Sequence, residues 1–422
     1  MIRFKYLSRI GFILVCSSGG LQAYPDVIKQ DTVSLNLKTA EQRFINENLS
    51  LLSAKYDIDI AKSNILQSRL WYNPNLSYSQ GIYNGALKRS GNNGEHDVQL
   101  HQLFSLAGKH RNAVRLARIL AEKSEYAFEE FVRDLKFELY SNYSNLYAAQ
   151  EKIKVYNGEI TNLHRLITAT DQQLKLGAIA GNEVIRLKAE LQNIKNQSVT
   201  TEAELEEAEK NLKILLNYDY NSFLVAEELP ILKIDLPPLQ DVITQAEKNR
   251  PDLMAAHTDV KVQHQNLKLQ RSQAIPDLTL GLEYDEASAS VPYFYGAGAS
   301  MDIPLFNRNQ GQVLAAKKGF EKSKLLDTLA LQTVRTEVVS AYSRLNKIKL
   351  QLADMDPSYG ANLEQLIRFA VENYNKRYIS LLEFLDQLRT YANAKESLIE
   401  LNDHYFSALH YLNFTTGTDI IK

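Results

Sequence analysis

The sequence holds one cysteine, Cys16, and four methionines in 422 residues. A single thiol cannot form a disulfide within the chain, and no cysteine-based metal or redox motif is possible. Scarce methionine also leaves no thioether ladder for a soft metal. Proline (10) and glycine (18) are few for this length. Few breakers mean long uninterrupted elements, and segments rich in Leu, Ala, Glu and Lys make those elements helices. Neither sign of charge dominates: 48 Lys plus Arg stand against 50 Asp plus Glu, a formal charge of −2. With no long charged runs, there is no electrostatic footprint for nucleic acid. Beyond the N-terminal region no run of 18 apolar residues occurs, so no transmembrane helix is expected. Also missing are a P-loop, a dinucleotide-binding glycine fingerprint, a HExxH pair and a nucleophile elbow. No catalytic residue and no cofactor is therefore expected, and an enzyme is the weakest of the functional readings.

The N-terminus is what an exported chain needs. "MIRFKYLSR" supplies Arg3, Lys5 and Arg9, and "IGFILVCSSGG" a short apolar core ahead of Ala23. Residues 1–23 read as a secretory signal, too short for a membrane span with those flanks. Cleavage after Ala23 would leave a mature chain without cysteine. The rival is a lipoprotein signal with Cys16 lipidated; Val15 stands where such signals want a small residue, which favours plain cleavage. An exported chain with no apolar helix can cross a membrane only with strands.

The chain is written twice. "NPNL" (73–76) and "IPDL" (275–278) lie 202 residues apart, and "ELYSNYSNL" (138–146) and "EVVSAYSRL" (337–345) lie 199 apart. "GNEVIRLKAELQNIK" (181–195) and "LLEFLDQLRTYANAK" (381–395) lie 200 apart, with Glu183 opposite Glu383. Three nearly equal offsets in order indicate tandem duplication: a first repeat over 24–226, an extended, proline-bearing linker over 227–239, a second repeat over 240–414 and a tail over 415–422. Each repeat should hold a helix (38–70; 240–272), a strand pair, a very long helix (109–176; 311–377) and a returning helix (181–217; 380–412), the apolar positions recurring at three- and four-residue steps. Pro357 should interrupt the second long helix. The first would span roughly 100 Å at 1.5 Å per residue, so it needs partners along its length, as in a coiled-coil bundle.

Four segments alternate in polarity: 75–83, 96–104, 277–284 and 293–303. In "DLTLGLEY", Leu278, Leu280, Leu282 and Tyr284 face one way and Asp277, Thr279, Gly281 and Glu283 the other. Each strand is about the length of a tilted membrane strand. Trp71, Tyr72, Tyr83, Tyr284, Tyr293 and Phe294 near the strand ends suit an aromatic girdle. A half-buried soluble sheet is the alternative for any one hairpin; four such strands in an exported, cysteine-poor chain favour the membrane. Four strands cannot close a barrel, and an open edge is not tolerated in lipid. Several copies must pool their strands.

With "FSLAGKHRNAVRLAR" (104–118), "IPLFNRNQGQVLAAK" (303–317) and "YNKRYISLLEFLD" (374–386), the duplicated order resembles the TolC family of outer-membrane efflux proteins, including its heavy-metal efflux members. The resemblance implies a mainly α fold with a β-barrel portion: a homotrimer pooling four strands per copy into a 12-stranded barrel in outer-membrane lipid, continued by a periplasmic α-helical barrel. It implies a passive exit duct that docks a periplasmic adaptor and an inner-membrane pump, for heavy-metal cations or small toxic compounds. Drug efflux and type I protein secretion remain alternatives within the duct class, and a soluble periplasmic coiled-coil scaffold or adaptor outside it.

By the same resemblance, acids ring the narrowest point of the tip, and the matching positions are Glu383 and Asp386. Three copies of each carboxylate around one axis would favour cations, and their clustering would raise the pKa of some of them. The alternative is ordinary surface acids paired with Lys376, Arg377 or Arg389. Arg186 falls opposite Asp386, so any ring is acidic from the second repeat only. Gly177 and Gly181 flank the first tip turn while Lys376 and Arg377 stand at the second, so the second turn should be built differently. His257 and His264, and His96, His101 and His110, lack the spacing of a tight metal site and read as surface or packing histidines. No metal site is expected.

Overall fold

The computed structural model describes residues 32–80, 96–230, 235–286, 291 and 293–420. The N-terminal signal with Cys16, positions 81–83 of the first expected strand and 231–234 of the expected linker lie outside the described residues. In chain order the elements are β1 (Thr32–Leu35), α1 (Leu37–Glu47), α2 (Leu49–Arg69), β2 (Asn75–Gln80), β3 (His96–Phe104), α3 (Lys109–Lys175), α4 (Gly181–Leu216), β4 (Phe223–Ala226), α5 (Leu239–Asn249), α6 (Pro251–Gln273), β5 (Leu278–Asp285), β6 (Phe294–Met301), α7 (Gln310–Asp354), α8 (Tyr359–Asn375) and α9 (Leu381–Thr416).

Helix dominates because little interrupts it. α3 runs for 67 residues, and α7 stops at Asp354, three residues short of Pro357. No helix among the described residues is long and apolar enough to cross a membrane. Two breaks were not expected. The helix anticipated over 38–70 is two, because Asn48 leaves the helical region and its side chain caps α2 by accepting from Leu51 N–H. The helix anticipated over 240–272 breaks at Arg250, ahead of Pro251 in the first turn of α6.

The two breaks correspond. Asn48 and Arg250 are both buried, at 2% and 3% exposure. Asn48 donates to the Leu215 carbonyl at 2.8 Å and Arg250 to the Thr415 carbonyl at 3.3 Å, near the ends of α4 and α9. Other parallels keep nearly the same spacing. Gly108 and Asn309 hold left-handed backbone (φ 71° and 58°) at the starts of α3 and α7, and Asn217 and Gly417 (φ 52° and 70°) at the ends of α4 and α9. Glycine and asparagine are the residues that take this conformation at least cost. Tyr143 and Tyr342 each place a hydroxyl on the backbone outside the helices, Tyr143 within 2.9 Å of the Glu228 carbonyl and Tyr342 within 3.1 Å of the Pro237 carbonyl.

A parallel two-stranded ribbon, β1 with β4, was also not expected. Its strands are four residues each and nearly two hundred residues apart, so no local pattern announces them. Its edge is satisfied from the helices: Gln150 accepts from Ala226 N–H and donates to the Leu224 carbonyl, both at 3.1 Å. Leu35, Phe44, Leu139, Tyr143, Leu212 and Leu224 form the core around it. A second core lies along α6, α7 and α9 through Leu253, Val338 and Leu409. A third, with Leu163, Leu187, Ile367, Phe384 and Leu388, packs α3 and α4 against α8 and α9.

The other sheet is antiparallel, in the order β2-β3-β5-β6. Its register separates two faces. Leu100 pairs with Leu282 and Tyr284 with Tyr295 on one, while Gln99 pairs with Glu283 and His101 with Gly281 on the other. The apolar face is bare: Leu76, Tyr78, Leu282 and Tyr295 are all exposed. Gly281 is required by its neighbour, since a Cβ there would fall 2.6 Å from the His101 ring. Within "GAGAS", Gly296 makes room for the Phe294 ring in the same way, while Gly298 faces open space. The flanking helices follow the strands: α2 packs on α3, α3 on α6 and α6 on α7.

Candidate functional site

α3 leaves the sheet end of the molecule and carries the chain roughly 100 Å before it turns, so the two helical turns lie at the far tip. In the first, Gly177 N–H donates to the Leu174 carbonyl and Ala178 N–H to Gln173. In the second, Arg377 N–H donates to Tyr374 and Tyr378 N–H to Asn373. Both are Schellman closures, with the left-handed residue at φ 70° in Gly177 and 62° in Arg377. The second turn is therefore the same turn, contrary to the expectation drawn from its missing glycine. The motif requires only backbone groups, and Arg377 accepts the left-handed geometry at an energetic cost. Its guanidinium donates to Gln173 Oε1 at 3.2 Å and ties the two turns together. Arg377→Gly is expected to be within about 0.5 kcal/mol of neutral, the relief of left-handed strain offsetting both the greater freedom of glycine in the unfolded chain and the loss of the exposed bond to Gln173. Arg377→Val should cost about 1 kcal/mol or more, because a β-branched residue fits that region worst. Thermal unfolding of the two variants checks the order.

The two helices that start after these turns differ. α4 begins at Ala180, which has no side chain to cap it. α9 begins at Ser380 with a capping box. The Ser380 hydroxyl accepts from Glu383 N–H at 3.3 Å, and the Glu383 carboxylate accepts from Ser380 N–H at 2.7 Å. Glu383 is thus folded back onto its own helix. The Ser380 backbone and side-chain hydrogen bonds hold its carboxyl below the usual carboxylate range. The sequence "SLLE" (380–383) carries the signature of this box, and it is the signal that could have shown Glu383's local role beforehand.

Asp386, one turn on, is exposed and makes no hydrogen bond or ion pair among the described residues. It lines a groove of about 780 Å³ between α4 and α9 with Glu383, Arg186, Glu190, Leu382 and Arg389. Arg186 and Asp386 are therefore brought together. The three nearby cations are engaged elsewhere: Lys376 with Glu372 at 2.9 Å, Arg377 with Gln173, and Arg389 with Glu190 at 2.5 Å. Glu190's hydrogen bond and charge hold the Arg389 guanidinium above its ordinary value, with a smaller push from Asp386. The Arg389–Glu190 clasp joins α9 to α4, and sequence reasoning missed it. A 199-residue separation leaves no local trace.

The histidines are spread over other contacts. His257 bonds Asp327, His264 stacks on Phe320, His110 stacks on Trp71, and His96 meets the Tyr78 hydroxyl. Among the described residues no cluster of three or more His, Cys, Asp or Glu is arranged to hold a metal ion.

Comparison with known proteins agrees with this architecture. The chain is 19% identical over 384 residues to the cobalt-zinc-cadmium resistance protein CzcC of Cupriavidus metallidurans, covering 91% of this chain and 90% of the relative. It is 23% identical over 393 residues to the probable outer membrane lipoprotein SilC of Salmonella typhimurium, covering 88% and 83%. Among solved structures, the Campylobacter jejuni CmeC outer membrane channel superposes with a TM-score of 0.77 at 18% identity, covering 90% of this chain and 85% of that one. A structure of CusC superposes at 0.74 with 20% identity, covering 92% and 94%. The profile described as outer membrane efflux protein matches residues 41–218 and 242–418, one segment in each half. The chain belongs to the outer membrane efflux protein family, channels rather than enzymes, and is itself an outer-membrane efflux duct.

Proposed function

We propose that three copies of this chain close into one duct that carries heavy-metal cations from an inner-membrane pump and a periplasmic adaptor to the outside. The observation that carries the reading is the open-edged protomer. The sheet ends in β2 on one side and β6 on the other, and the helix row beside it ends in α2 and α7. α2 has a single buried residue, Leu51, and exposes Leu52, Tyr56, Ile60 and Leu66 at helical spacing. α7 exposes Leu325 and Leu329. Such edges and stripes call for a neighbour, and a second copy offers complementary ones. Four strands per copy make a 12-stranded barrel in a trimer, with the bare apolar face in lipid and the Gln99, His101 and Glu283 face on the lumen. The division into repeats at 24–226 and 240–414 accounts for the paired breaks and turns. Asp386, with Glu383 beside it, would line the tip aperture. A duct of this kind supplies no chemistry; the pump supplies the energy.

The cargo is inferred from relatives, CzcC being a cobalt-zinc-cadmium resistance protein and CusC part of a cation efflux system. Growth of a deletion strain across heavy-metal salts, dyes, detergents and antibiotics tests it. Sensitivity confined to metals, restored by the intact gene, is the expected result. Sensitivity to amphiphilic drugs with metal tolerance intact would replace cations by drugs as the cargo. The chain also matches a pyoverdine export outer membrane protein, and full tolerance of all four classes in the deletion strain would turn the search to a cargo of that kind.

A further inference from the structure

Glu159 is the one fully enclosed carboxylate among the described residues with no partner on either oxygen. It lies on α3 between Tyr156 and Leu163, roughly 25 Å along the helix from the tip turn, and is 2% exposed. Both oxygens are buried and make no hydrogen bond. This enclosure is complete within one protomer, so a neighbouring copy cannot reach the group while the packing holds. The facing groups offer it no cation. From α4 comes Glu190, already clasped by Arg389. From α9 come Glu396, which accepts the Tyr156 hydroxyl at 2.6 Å, and Tyr391. Lys395, also on α9, is bound to Glu364 of α8 at 2.5 Å.

The position makes the anomaly consequential. α9 is held to α3 and α4 by a file of polar contacts: Ser144 with Asp403, Lys152 with Glu400, Tyr156 with Glu396, and Glu190 with Arg389. Glu159 sits inside that file, next to two of its members. An isolated ionised carboxylate is not sustained in such a place, whereas a neutral carboxyl costs far less. Burial, and then the Glu396 and Glu190 charges, push its pKa up to about 8.

We propose that Glu159 is a proton-operated latch: its neutral carboxyl keeps the seam of α3 and α4 with α9 dry and closed, and loss of the proton to solvent drives the seam apart and loosens the tip. The direction follows from linkage. A carboxyl whose folded value lies above its unfolded one contributes stability that is complete below the unfolded value and lost as pH rises through the folded value, here about 8.

The test uses the full-length protein in planar bilayers across about pH 6 to 10. Wild-type conductance should rise several-fold as pH passes through about 8 and fall again on re-acidification. Glu159→Gln, which keeps the shape and cannot ionise, should stay at the low-pH conductance throughout. Glu396→Gln removes one repelling charge and should move the rise to lower pH. An unchanged rise in Glu159→Gln overturns the proposal. Infrared difference spectroscopy of the wild type against Glu159→Gln assigns the band to Glu159 and reads it independently of channel assembly. A neutral-carboxyl stretch present near neutral pH and lost on alkalinisation supports the latch, and its absence near neutral pH overturns it.

Discussion

Arg250→Ala is expected to lower the unfolding free energy by about 3 kcal/mol, with Arg250→Lys recovering only part of the loss. Arg250 is 3% exposed, yet each of its three guanidinium nitrogens has a partner. It binds the Asp252 carboxylate, lies 2.5 Å from Glu337, and donates to the Thr415 carbonyl. Removing one partner of a buried charge group typically costs about 3–5 kcal/mol, because the others are left without compensation. Asp252 and Glu337 remain 27% and 36% exposed, which places the loss at the lower end. Lysine supplies a point charge but not the planar fork that reaches three acceptors. The backbone around the site has no slack. Gly417 lies against the break, where a Cβ would fall 2.9 Å from the Asn249 carbonyl oxygen and 3.1 Å from Arg250 Cα. The acid limb should change as well. Burial pushes the Asp252 carboxyl up, but the Arg250 hydrogen bond, with the Arg133 and Arg250 charges, outweighs it and holds the carboxyl below its ordinary value. Such a group contributes stability above its unfolded value that is lost as pH falls through the folded one. The variant should therefore lose less stability on acidification than the wild type. Denaturant unfolding of the full-length protein in detergent, followed by circular dichroism at neutral and acid pH, reads both effects. Equal unfolding free energies would show that the Arg250 cluster does not hold the break.

Much of this architecture could be read from the residues, for reasons that particular positions make plain. The long helices follow from missing breakers, and the interruption near Pro357 from the one proline that intervenes. The strands around Leu278–Asp285 and Phe294–Met301 follow from strict alternation. The break at Arg250 has a local signal in Pro251, a first-turn proline, set against three- and four-residue apolar spacing on both sides of it. The break at Asn48 had a weaker signal, since asparagine is common on helix surfaces. The β1–β4 ribbon had none, because its pairing is non-local. At the tip, the missing glycine points to a different turn, and the backbone shows the same one. Backbone hydrogen bonds decide the turn, and the residue only sets its cost. Glu159 could not be singled out either: in "YNGEITNL" it looks like any solvated acid, and only the packing of α4 and α9 encloses it.

Asp386→Asn is expected to reduce the preference of the reconstituted channel for cations by on the order of threefold to tenfold, and Glu383→Gln by less. Pores lined by one sign of charge concentrate the opposite ion by tenfold or more. On the proposed reading of this segment as the aperture, what matters is charge free to act there. Asp386 is exposed and unpaired among the described residues, while Glu383 is held against the Ser380 N–H and hydroxyl. Arg186 lines the same groove and opposes the acids, and Arg389 is neutralised by Glu190. Arg186→Gln should therefore strengthen cation preference, the opposite sign to Asp386→Asn. Glutamine is chosen at position 383 because a capping box accepts it in place of glutamate, so the helix start survives while the charge is lost. Glu383→Ala removes both and would confuse a folding defect with an electrostatic one. Reversal potentials in asymmetric salt, measured in planar bilayers for each variant, give the preference directly. If Asp386→Asn, Arg186→Gln and Glu383→Gln all keep the wild-type value, the acids of this segment are surface residues and the selectivity of the duct is set elsewhere. If only the Glu383 variants respond, the capping box opens in the assembled tip, and the carboxylate that braces α9 in the protomer is the one that meets the passing ion.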